Sequence, residues 1–332
     1  MDQIRLLAET RGFFTRAEAL DAGSKDKDLI GAVRSRVLVR FRRGYYTYAD
    51  LWTSLDEVGQ HVVRARAVQH SLGAAAVLSH VSGAVVHGIA VWGVDLSRVH
   101  VTRLDGGAGR IEGDVVHHVG TAGMDVAEDV HGLGSFAADR CVVEAATVAT
   151  SEQALVLFDS FLHLGLGEHH HLRKRFEAMC WWPRTRHLHL PIRMADGRAD
   201  SPGESRGRWL FRASGLPAPA LQYKVVRPDG TVAGTSDWAW REYGLLGEFD
   251  GRVKYGRLLK PGESPGDAVF REKRREDELR EMTGWPMFRL IWSDYDRPVA
   301  TADRIRLLNM MNRATLGLCL GGWPETQTKI VE

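Results

Sequence analysis

Between Ser201 and Trp292 four acids fall on elements that the local sequence separates: Glu204, Asp237, Glu248 and Asp250. The spacing predicts a helix over 202–214, strands over 220–227, 232–240 and 244–250, a helix over 267–283 and a strand over 286–292. The order is αβββαβ. Pro228-Asp229-Gly230 marks the first turn between strands. Strand alternation places Glu248 and Asp250 on one face, and hairpin pairing can bring Asp237 alongside. Glu204, near the start of the first helix, could complete the group. Carboxylates gathered this way repel one another unless a cation lies among them. A hard divalent ion such as Mg2+ or Mn2+ binds oxygen, activates water and stabilises a pentacovalent phosphate. The segment therefore points to cutting phosphodiester bonds.

The rest of the chain is read in the same way. Residues 1–50 read as three short helices and a hairpin. Thr15-Arg16-Ala17-Glu18 is a capping box for the second helix. Ser24 is the expected cap of the third, with Leu29, Ile30 and Val33 as its apolar stripe. Strands at 37–41 and 45–48 flank Arg42-Arg43-Gly44. This is the winged-helix order. Lys25, Lys27, Arg34, Arg40, Arg42 and Arg43 are the expected contacts to double-stranded DNA, the helix in the major groove and the hairpin on phosphates. The competing reading is a solvated basic face that binds protein, and Asp26 and Asp28 would repel phosphate. The middle region is predicted to have helices near 56–72, 76–88, 135–149, 151–165 and 168–180, with strands at 99–103 and 114–119. The polar stretch 195–200 marks the boundary to the last domain. The expected class is thus α+β multidomain, with a winged helix at 1–52, a mixed helical middle region at 53–195 and an αβββαβ domain at 196–332.

Composition narrows the function classes. A net charge of +2 in 332 residues confines any nucleic-acid surface to a local patch. Cys141, Cys180 and Cys319 are odd in number and far apart, against a disulfide framework and for a reducing cytosol. No signal peptide and no apolar run of ~20 residues stands out, so a cytoplasmic protein without a membrane partner is expected. His169-His170-His171, with His163, Cys180, His187 and His189 nearby, suggests either a zinc site or a polar loop entering a helix. Trp238 and Trp240 alternate with Asp237 and should be core. The mixed charges of 271–281 should mostly form a salt-bridged solvated face.

Two resemblances add to this. Arg11 to Ala19, Arg43 to Thr47, Leu78-Ser79-His80-Val81-Ser82-Gly83-Ala84 and Val99-His100-Val101-Thr102-Arg103 resemble the AbiEi-type antitoxins over roughly the first half of the chain. That resemblance implies a transcriptional autorepressor paired with a nucleotidyltransferase toxin. Ser201 to Ser205, Asp237 to Trp240, Glu248 to Gly251, Glu272 to Asp277 and Gly284-Trp285 resemble the PD-(D/E)XK nucleases, in particular their very-short-patch-repair-like branch. It implies Asp237 and Glu248 as metal ligands and Glu204 as a supporting acid, and its branch suggests mismatch or damage repair. The lysine usual in that family two residues after the second acid is Asp250 here. Lys254, or better Lys273 on the following helix, is the expected substitute. Without one, the domain would bind DNA and leave it uncut.

Overall fold

A computed structural model describes residues 3–120, 127–251 and 265–315. The chain forms two compact units, Met1–Ala195 and Asp196–Glu332. Both mix helices and sheet. Among the described residues no helix is long and apolar enough to cross a membrane.

The first unit begins with α1 (Gln3–Arg11), β1 (Phe14–Thr15), α2 (Arg16–Asp21), α3 (Asp26–Arg34), β2 (Leu38–Arg42) and β3 (Tyr45–Tyr48). The three strands pair in the order β1-β3-β2. α1 stops at Gly12, whose φ of +90° few other residues adopt and where a Cβ would lie 2.6 Å from Val63. The capping box at Thr15 forms as its sequence implies: Glu18 takes the Thr15 amide at 2.8 Å and Thr15 Oγ1 takes the Glu18 amide at 3.2 Å. α3 differs. Its cap is Lys25, not Ser24, because Asp28 reaches back to the Lys25 amide at 2.8 Å. Leu29 is buried, but Ile30 is 53% exposed, so the apolar stripe is narrower than expected.

Then follow α4 (Ala49–Ser54), α5 (Glu57–Leu72), β4 (Ala76–Leu78), α6 (His80–Val86), β5 (Val99–Arg103), β6 (Arg110–Glu112), β7 (Val115–His118), β8 (Glu128–Val130) and β9 (Leu133–Ser135). α7 (Ala138–Thr147), α8 (Ser151–His163), α9 (His169–Met179) and α10 (His189–Met194) complete the unit. Its six strands run β6-β7-β5-β4-β9-β8. The expected helix over 76–88 begins instead as β4, and only His80 onward is helical. Four of these strands span three residues each, too few for alternation to reveal them. Phe13 and Tyr45 of the head share a core cluster with Val63 and Ala67 of α5.

The second unit contains α11 (Pro202–Ala213), β10 (Ala220–Val226), β11 (Val232–Trp240), β12 (Leu245–Phe249), α12 (Pro265–Thr283), β13 (Met287–Leu290) and α13 (Pro298–Thr315). The sheet order is β10-β11-β12-β13, antiparallel except for the parallel pair β12–β13. Alternation sorts the side chains. Trp238, Trp240, Phe249 and Phe288 pack with Phe211 of α11 and Ile305 of α13. Ala239, Leu246 and Met287 pack with Leu279 of α12. A Cβ on Gly203 would stand 2.0 Å from the Phe249 ring, so α11 lies as close to β12 as a bare backbone permits.

Candidate functional site

β11 and β12 bring two of the expected acids together. Trp238 pairs with Gly247, and one further step of that register sets Asp237 opposite Glu248. Asp237 Oδ2 accepts the Phe249 amide at 2.8 Å, which ties the half-buried carboxylate to β12. Glu248 is buried, at 6% exposure. Asp250 lies two residues on, and both Glu248 and Asp250 face Arg289 of β13, at 3.6 and 3.5 Å. Glu204 is also buried, at 1% exposure. Its carboxylate accepts from Ser201 Oγ at 2.8 Å, from the Asp200 amide at 3.0 Å and from Gln222 Nε2 at 3.0 Å. Tyr295, whose hydroxyl donates to Gly203 O at 2.5 Å, senses the charges of both Glu204 and Asp237. Burial first, and those carboxylates next to it, raise the Tyr295 hydroxyl well above its usual range against the opposing Arg206.

The cation expected at Lys273 is a different residue. Lys273 is exposed. Arg275 reaches the site instead: Nη2 meets Glu248 Oε1 at 2.5 Å and Nη1 donates to Thr235 O at 2.7 Å. The helix period explains the change. Arg275 lies one turn before buried Leu279 and shares its stripe, whereas Lys273 sits about 200° away around α12. Gly234 on β11 leaves room for the Arg275 stem, its Cβ position being 3.3 Å from Arg275 Cγ. Arg289 also pairs with Glu276 at 2.9 Å. Lys254 lies outside the described residues. Among the described residues no three His, Cys, Asp or Glu side chains are grouped to hold a metal ion. Asp237 and Glu248 offer two hard oxygen donors on adjacent strands, a set that suits magnesium when water and substrate oxygens complete its shell.

On the head, Lys25, Lys27, Arg34, Arg40 and Arg43 are exposed. Arg42 is not available in the same way. Its side chain is 18% exposed and ion-paired with Asp114, at the start of β7. Of the six cations expected in residues 1–52, five are therefore exposed, and Arg42 joins the hairpin to the six-stranded sheet. The two acids of α3 are both engaged. Asp26 takes Arg16 Nε and Nη2 at 2.7 and 2.5 Å, and Asp28 caps the helix. Exposed Ile30 lies on the same helix face as Lys27 and Arg34.

A third group has no local sequence signal. His80, His100 and His118 meet between α6, β5 and β7. The His80 and His118 rings stack at 3.6 Å, and His100 Nδ1 and His118 Nε2 share a hydrogen bond of 3.0 Å. Burial drives His100 down to about 3 and His118 to about 4, with neighbouring imidazoles adding to it. His80, with the non-glycine φ of +49°, is lowered well below its usual value for the same reasons. Its Nδ1 lies 3.1 Å from Ser79 Oγ and 3.4 Å from Glu144, which buried Arg140 holds at 2.9 Å. The histidines of 169–187 do separate work: His169 and His187 bond backbone oxygens, and His171 takes the Glu168 amide.

No family model matches the chain. Two Mycobacterium tuberculosis proteins are each 32% identical to it over 112 residues: Uncharacterized protein MT2308 of strain CDC 1551 / Oshkosh and Uncharacterized protein Rv2248 of strain ATCC 25618 / H37Rv. The match takes in 33% of this chain and 38% of each relative, so the chain spans well under half the length of the curated relatives it matches. Among solved structures, the one described as "Crystal structure of RV2827C protein from Mycobacterium tuberculosis" aligns with 69% of this chain and 88% of its own. It does so at 13% identity and a TM-score of 0.37, a likeness that carries no functional argument.

Proposed function

We propose that the chain is a cytoplasmic DNA-binding protein whose second unit hydrolyses phosphodiester bonds with a divalent cation. The observation that carries this is the pairing of Asp237 with Glu248 across β11 and β12. The order helix, three strands, helix, strand supports a PD-(D/E)XK-like unit, and the head's helices and hairpin support a winged helix. Asp237 and Glu248 would hold Mg2+ or Mn2+, which when bound activates water and draws charge off the phosphate. Arg275 would serve in place of the family's lysine, whose own position is Asp250, orienting and neutralising the phosphate from α12. The head supplies affinity for duplex DNA through exposed Arg40 and Arg43, while α3 presents side chains to bases.

The test is nicking of supercoiled plasmid in magnesium or manganese. Asp237→Ala is expected to lower the rate at least about 100-fold, the scale on which single electrostatic groups act, with the protein still binding DNA in EDTA. Undiminished cutting by that variant would sink the nuclease. Affinity has its own signature. Arg40→Ala and Arg43→Ala should each flatten the slope of log affinity against log salt by ~1, evenly across DNA sequences. Arg42→Ala should cost stability instead, because its partner is Asp114. A salt slope that Arg40→Ala and Arg43→Ala leave unchanged would exclude the wing as the phosphate contact.

A second reading has one observation in its favour: Glu248 and Asp250 are already paired to guanidinium groups. On that reading the chain is an AbiEi-like repressor, paired with a nucleotidyltransferase toxin, whose second unit binds without cutting. It predicts metal-independent binding to the promoter of its own gene and no nicking by any variant.

A further inference from the structure

We propose that Arg275 and Arg289 form a phosphodiester-binding site that Glu248 and Asp250 keep closed and that a divalent cation opens. The ligand class rests on the nucleic-acid reading above; the gating rests on the ion pairs themselves.

Among the described residues, three guanidinium groups meet four carboxylates in this cluster. Arg275 holds Glu248 at 2.5 Å. Arg289 lies between Glu248, Asp250 and Glu276, and Arg280 pairs with Glu276. Asp237 stands across from Glu248. These seven side chains carry one net negative charge. A phosphodiester approaching Arg275 therefore meets carboxylates that already occupy the guanidinium and repel the newcomer. A divalent ion taken up by Asp237 and Glu248 turns the sum to one positive charge and draws Glu248 away from Arg275. The guanidinium fork then faces an anion whose planar pair of oxygens matches it as a carboxylate does.

Arg275 also walls a cleft of about 740 Å³ on α12, where Arg271 and Arg274 share the lining with Asp277, Glu278 and Glu281. Of the acids there, Glu278 is paired with Arg227 at 2.7 Å. The geometry thus couples two ligands: cation binding raises affinity for the phosphate, and phosphate raises affinity for the cation by the same factor.

The experiment is fluorescence anisotropy of a labelled DNA duplex with the full chain, in calcium and in EDTA. Calcium is expected to tighten binding by the wild type about tenfold, within the usual range of such coupling. Arg275→Met, Arg289→Met and Asp237→Ala are expected to gain less than about twofold from calcium, each measured against its own affinity in EDTA. Arg275→Lys, which keeps Glu248 paired and so guards against misfolding, should gain an intermediate amount. A wild type indifferent to calcium overturns the proposal without any variant, and so does a gain that survives in both methionine variants. Failure of the nuclease reading looks different: calcium tightens binding through the arginines, yet no divalent metal gives nicking.

Discussion

Lowering the pH from 7 to 5 is expected to weaken the first unit by roughly 4 kcal/mol through His100 and His118 alone. In the unfolded chain each imidazole takes up a proton below about 6.5. In the fold they stay neutral down to about 3 and about 4. Between those limits the unfolded state binds more protons, so stability falls as the pH falls. At pH 5 the cost is ~2 kcal/mol for each ring, one and a half pH units below the unfolded value. The contribution is complete above about 6.5 and lost by about 3 to 4, and His80 acts in the same direction. Urea unfolding at pH 7, 6 and 5 measures it. His118→Phe, which keeps a flat ring against His80 and removes one titrating group, should take about one proton out of the slope. A midpoint that does not move between pH 7 and 5 would contradict the buried stack.

Arg140→Met is expected to cost about 3–5 kcal/mol, the range for stripping one partner from a buried ion pair. The Arg140 and Glu144 side chains are 2% and 1% exposed. The guanidinium also lies 3.6 Å over the Phe136 ring and donates to Gly120 O at 2.6 Å. Without it, the Glu144 carboxylate, which also accepts the His80 amide at 3.3 Å, favours a proton on the His80 ring, 3.4 Å away. The variant should therefore lose part of the pH dependence described above, since His80 would then gain stability from protonation. Adding Glu144→Gln should restore a large share of the loss, because the uncompensated charge is gone. Chemical denaturation of the two variants at pH 7 and pH 5 decides it; a loss under about 1 kcal/mol in Arg140→Met would show the pair to be dispensable.

What could be read from the chain follows from the range of each interaction. Signals carried within a few residues survive into the fold. Thr15 and Glu18 cap α2, the Trp238/Trp240 alternation selects one face of β11, and Pro228-Asp229-Gly230 turns β10 into β11. Asp237 and Glu248 were legible because one short hairpin joins them. Pairings across long separations were not. Arg42 finds Asp114 across 72 residues and Arg275 finds Glu248 across 27. Periodicity ranks Arg275 with its charged neighbours on α12, and only contact with the sheet separates it from Lys273. The histidine stack needs β5 and β7 side by side, with His100 beside Val116 in register, and no spacing along the chain announces that.

The way the head is fastened limits how freely it can be moved between proteins. Phe13 and Tyr45 bury against Val63 and Ala67, Tyr45 Oη bonds His70 Nδ1 at 3.1 Å, and Arg42 is anchored at Asp114. A fragment cut after residue 52 would expose two aromatic rings and leave a cation without its counter-charge. Transplanted onto another body, the first 52 residues would have to bring α5 and the β6–β7 turn with them to keep the β2–β3 hairpin in place. The first 52 residues are thus inseparable from their mount, and exchange by recombination would act at the boundary after Ala195 sooner than at the one after residue 52.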